Sequence, residues 1–172
     1  MPTIFVPMWV SEEVFEKLKT GEYERVGGVI RRSDNKRIVC WLRQFGDLPE
    51  KLEKDADPLI RILVYSWDIE DLSDEELITL GKYINEHSVL SKVNFYQGCK
   101  GAVSAIIDKF ERLYEKYGKE NAIEYAKKKR QSLINIFSRT FIPNLKHQLE
   151  LRMIEMVYDE EKGIFQFFLP EE

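Results

Sequence analysis

The stretch GAVSAIIDKFERLYEKYGKENAIEYAKKKRQSLINIFSRTF, residues 101–141, decides the fold. Val103, Ile106, Ile107, Phe110, Leu113, Tyr114 and Tyr117 recur at three- and four-residue spacing. One helical face is therefore apolar, and Lys109, Glu111, Arg112 and Lys116 fall toward water. After a break at Gly118, the residues Ala122, Ala126, Leu133, Phe137 and Phe141 mark a second helix, whose outer side carries Lys127, Lys128, Lys129 and Arg130. Two striped helices in series are scaffold first, because each stripe must be buried against a partner.

Outward from this stretch the pattern alternates between helix and strand signals. Upstream, Ser73-Asp74-Glu75-Glu76 is a capping box ahead of Leu77, Leu80, Tyr83 and Ile84, and predicts a helix ending near His87. Asp57-Pro58 has the form of an N-cap and first helical residue, yet Ile60, Ile62 and Val64 equally suit a buried strand, so 58–67 stays open between the two. Gln97-Gly98-Cys99-Lys100-Gly101 reads as a turn leading into the first long helix. Downstream, Pro143 marks a new start, and Leu145, Leu149, Met153 and Met156 continue a helical face to about Tyr158.

Strand signals sit at both ends of the chain. Thr3 to Val6 is a short β run closed by Pro7, followed by a helix capped by Ser11 with Val14, Phe15 and Leu18 inward. Tyr23–Arg31 and Arg37–Phe45 read as a hairpin around Ser33-Asp34-Asn35-Lys36, with Gly27-Gly28 as a bulge. Ile164-Phe165-Gln166-Phe167-Phe168-Leu169 is strongly β, and is expected to join that hairpin as a further strand. The expected fold is a mostly helical single α+β domain over residues 1–172. Its small antiparallel sheet is built from the N-terminal strand, the hairpin 23–45 and the C-terminal strand 163–169.

Composition bounds what such a domain can do. Of the 172 residues 44% are hydrophobic and 33% charged, enough for a core and too apolar for a disordered chain. A formal net charge of -4 provides no global attraction to phosphate backbones or anionic lipid, so any nucleic-acid contact must be local. Cys40 and Cys99 lack CxxC spacing, and His87 and His147 stand alone, which argues against a disulfide framework and a zinc site. There is no Walker A loop, GxGxxG, GxSxG or HExxH, and the acids between Asp68 and Glu76 suit a helix N-terminus better than a cation. No cofactor and no metal are expected. With no leader or long apolar run, the expected setting is the cytoplasm, without a membrane.

Two constellations could carry function. Gln97-Gly98-Cys99-Lys100-Gly101 is similar to the pentapeptide around the nucleophilic cysteine of caspases, which implies Cys99 as nucleophile and His87 as base. It departs from that pattern at Gly98, at Lys100 and in the twelve-residue spacing to His87, and covers five positions only. A cysteine-dependent hydrolase is accordingly the alternative reading. Lys127, Lys128, Lys129 and Arg130, joined by Arg139, form the one basic run and the candidate nucleic-acid contact. The favoured expectation is a non-catalytic binding or regulatory protein. It would act through a protein partner or its own homodimer, with the edge of Ile164 to Leu169 as the dimer route.

Overall fold

The computed structural model describes residues 3–11, 29–32 and 37–43 as backbone, and 54–65, 67–159 and 161–170 with their side chains. The chain is α+β and mostly helical, and it divides into two units, 1–67 with 146–172 and 68–145.

Residues 68–145 form the helical unit. Helix α2 (Asp74–Glu86) starts on the expected capping box, in which Ser73 Oγ accepts from the Glu76 N–H at 3.1 Å and Glu76 Oε1 accepts from the Ser73 N–H at 3.0 Å. Its inward face is Leu77, Ile78, Leu80, Gly81 and Ile84. A 3₁₀ turn (Leu90–Lys92) then leads into α3 (Gln97–Tyr117). Here the expectation of a turn over Gln97–Gly101 is corrected: these residues are already helical. The chain bends earlier, at Phe95 with φ 65°, and the Cys99 and Lys100 N–H groups both donate to the Tyr96 carbonyl.

Val103, Ile106, Ile107 and Phe110 are buried as the periodicity required, but the stripe stops there; Tyr114 and Tyr117 are exposed. Gly118, at φ 92°, separates α3 from α4 (Lys119–Ile136), which buries Ala122, Ala126, Leu133 and Ile134.

A new helical element starts one residue before Pro143, though without a break in the helical backbone. The chain widens into a π turn (Phe137–Phe141) and runs straight on into α5 (Ile142–Glu150). Proline has no N–H to offer the preceding turn, and the looser turn accommodates it. Side chains supply donors in that neighbourhood: Ser138 Oγ to the Ile134 carbonyl and Thr140 Oγ1 to the Ile136 carbonyl, both at 2.6 Å, and Asn144 Nδ2 to the Thr140 carbonyl at 2.5 Å. The wide turn carries Phe137 and Phe141 into full burial. At Gly81 three elements approach so closely that a Cβ would lie 2.9 Å from Val103 Cγ1 and 3.3 Å from Phe137 Cζ.

The second unit holds the sheet. The open choice over 58–67 resolves as helix α1 (Pro58–Leu63), nucleated where Asp57 Oδ1 accepts from the Ile60 N–H at 3.0 Å. Every residue of α1 is buried, which is why periodicity did not separate helix from strand. The strands β1 (Thr3–Ser11), β2 (Val29–Arg32), β3 (Arg37–Arg43), β4 (Glu155–Asp159) and β5 (Ile164–Phe168) lie in the order β2-β3-β1-β4-β5, all pairs antiparallel.

Strand β4 overturns the expectation of helix to about Tyr158. Helix α5 ends at Glu150, Arg152 takes φ 56°, and Ile154, Met156 and Tyr158 are buried at a spacing of two. That alternation is the strand signal hidden within the helical count. Consequently β5 pairs with β4, Met156 opposite Phe167 and Tyr158 opposite Phe165, and not with the N-terminal hairpin. The helix expected after Ser11, the Gly27-Gly28 bulge and the Ser33–Lys36 turn lie outside the described residues.

Candidate functional site

Cys99 and His87 sit at the start of α3 and the end of α2. His87 is the C-cap of its helix, and its Nδ1 accepts from the N–H groups of Val89 at 3.1 Å and Leu90 at 3.3 Å. Accepting through Nδ1 requires a neutral ring, and burial holds its pKa below the usual value. The lone pair on Nδ1 is thus engaged in shaping the 3₁₀ turn. Cys99 is a half-buried free thiol in the first turn of α3, close to Tyr96. Tyr96 is fully buried, and burial first and Cys99 second push its hydroxyl well above the ordinary range. That hydroxyl donates to Asn85 Oδ1, and Asn85 Nδ2 donates to Ser104 Oγ at 2.8 Å. The surroundings of Cys99 and His87 are therefore tied to helix termination and to a polar tie from α2 to α3.

The basic run separates into different roles. Arg130 is turned inward: its guanidinium meets Asp74 Oδ1 at 3.1 Å and donates to the Glu70 carbonyl at 2.7 Å, bracing the start of α2. Lys129 lies 6.0 Å from the Tyr125 ring, and Lys109 of α3 lies 4.9 Å from the same ring. Lys119 pairs with Glu75 at 3.7 Å. Lys127, Lys128 and Arg139 are exposed, and among the described residues no ion pair closes on them. Across 68–145 twelve acidic and twelve basic side chains balance, so this unit has no net field for a polyanion.

Two features escaped the sequence reading. One is the cation–ring cluster at Tyr125, whose signal was the recurrence of Lys109 and Arg112 on one side of α3. The other is an open cleft of about 240 Å³ between α2 and α3, lined by Lys82, Asn85, Glu86, Ser104, Asp108 and Glu111. Lys82 and Glu111 meet across it at 3.0 Å, and that bond holds the Lys82 ammonium above its usual pKa. No group of three or more potential metal ligands is gathered among the described residues.

The second unit presents a different surface. On β5, Phe165 and Phe167 are buried while Ile164 and Phe168 are 45% and 44% exposed. Leu169, just beyond the strand, and Leu151 and Met153, in the turn before β4, are also exposed. Five large apolar side chains thus face solvent within one short C-terminal segment.

Among the described residues, no helix is long and apolar enough to cross a membrane. No family model, no curated protein and no solved structure matches this chain.

Proposed function

We propose that the chain is a non-catalytic binding or regulatory protein of the cytoplasm, acting through contact with a protein partner or with its own second copy. The observation that carries this reading is the exposed apolar set Leu151, Met153, Ile164, Phe168 and Leu169. Single exposed apolar residues are ordinary, but five such groups on one hairpin and its approach are the mark of a surface that is covered in use. The test is the size of the protein as isolated from its native cell. The expected result is a stoichiometric assembly that dissolves when Leu151 and Leu169 are both replaced by Lys. Elution as a monomer under the same mild conditions overturns the reading.

A second reading, nucleic-acid contact, draws on Lys127, Lys128 and Arg139, which are exposed on α4 and the π turn. Three phosphate contacts correspond to a slope of about −2 to −3 in log K against log salt. Replacing the three by Gln is expected to abolish binding to a single-stranded or duplex probe, and affinity indifferent to salt defeats this reading.

A further inference from the structure

We infer that β5 is the two-fold seam of a homodimer, pairing antiparallel with β5 of a second copy in a register centred on Gln166. This rests on the protein-contact reading above and names the partner.

The strand stands at the end of the sheet order, with β4 as its neighbour on one side. End strands are normally guarded by charge, proline or a bulge. Ile164–Phe168 has no charged residue and no proline, and its pairing with β4 runs without a bulge from Glu155↔Phe168 to Asp159↔Ile164. Among the described residues no strand pairs with the far side of β5, and a strand edge of this composition is an aggregation template, so a defined occupant is expected.

The sequence of the strand selects that occupant. Read from either end, Ile-Phe-Gln-Phe-Phe has the same pattern: large apolar, aromatic, Gln, aromatic, large apolar. A two-fold axis perpendicular to the sheet keeps the buried face of one copy continuous with that of the other, and so pairs residues of like parity. The register centred on Gln166 is the one such register that pairs all five strand residues with strand residues. It sets Ile164 opposite Phe168 of the second copy and Phe165 opposite Phe167. Gln166 then lies opposite itself, where two amides can each donate and accept. The exposed Ile164 and Phe168 are covered, and no charge meets its like within the strand.

The test uses the full chain with Cys40→Ser and Cys99→Ser. In that background Gln166→Cys is expected to form an intermolecular disulfide under mild oxidation, because directly opposed Cα atoms lie about 4.5–5.5 Å apart, within disulfide reach. Ile164→Cys is expected not to link to itself, since its own copy lies four residues along the strand, about 13 Å away. Without the cysteine changes, sedimentation of the pure chain is expected to show a concentration-dependent dimer that Phe168→Lys converts to monomer with an unchanged circular dichroism spectrum. A pure chain that is monomeric at every concentration overturns the proposal, as does a dimer that forms the Ile164→Cys link in preference to Gln166→Cys. If the pure chain is monomeric while the native-cell protein travels with a different polypeptide, the self-pairing fails and the protein-contact reading stands; a monomer in both settings defeats both.

Discussion

The helical unit and the C-terminal hairpin treat their large side chains in opposite ways. Between 68 and 145, Phe137, Phe141 and Tyr96 are fully buried, and the bulky groups left outside are Phe95 and two tyrosines. The tyrosines tolerate exposure through their hydroxyls, so Phe95 is the one outlier. The hairpin and its approach leave Leu151, Met153, Ile164, Phe168 and Leu169 in solvent, five groups with no polar handle except the thioether of methionine. The helices are closed by internal reciprocity: a capping box at Ser73, a histidine cap at His87 and an arginine brace at Arg130. The hairpin has one buried face and one that is half-buried on β4 and exposed at Ile164 and Phe168 on β5. The contrast predicts that truncations cost most in the first region and that contact surface lies in the second.

Substitutions can break this contrast. The largest effect is expected for Phe137→Ala, which empties a fully buried site against α2 and α3 and should cost about 3–5 kcal/mol in denaturant unfolding. A cost below about 1 kcal/mol would show that the helical core is not where stability resides. Arg130→Ala removes a partly buried ion pair and a bond to the Glu70 carbonyl, and should lower stability by about 1–2 kcal/mol. Retained affinity for a nucleic-acid probe in this variant, with loss on replacing Lys127 and Lys128, would separate its bracing role from phosphate contact.

A smaller effect is expected from pH. The folded-state pKa of His87 lies below its ordinary 6.5 because burial penalises the charged ring. The unfolded chain therefore binds the proton more readily. The cap's contribution is complete above the unfolded value and is lost as pH falls through the folded one. Unfolding midpoints measured downward from neutral pH should fall, and His87→Asn should flatten that slope; an unchanged slope would place the titration elsewhere. The smallest effect on folding is expected for Phe168→Ser, within about 0.5 kcal/mol, since the ring is already half in water. A large loss of stability in the monomeric chain would mean that this face is not open in the way the contrast requires.

Legibility followed the locality of each signal. The capping box at Ser73, the break at Gly118 and the stripe from Val103 to Phe110 depend on neighbours within one or two turns, and their reading matches the structure. The span 151–159 was misread because Leu145, Leu149, Met153 and Met156 satisfy a helical count while Ile154, Met156 and Tyr158 satisfy a strand count. The positive φ at Arg152 and the pairing with β5 decide between them. Within the basic run, Arg130 faces an acid 56 positions away, a partner which no local pattern reveals. His87 reads as a surface or capping residue, and as a base in the alternative; in the structure its Nδ1 accepts from Val89 and Leu90 at the end of α2.

By itself the sequence determined the α+β class, the capped start of α2, the break between the long helices and the strand character of residues 164–168, because caps, glycine conformations and periodicity act over a few residues. Only the tertiary structure decided that Pro143 sits just after a π turn, that β4 precedes β5, that Arg130 braces α2, and that one face of β5 is left exposed. Each of these depends on which distant group fills the space beside a residue, and that is set by packing.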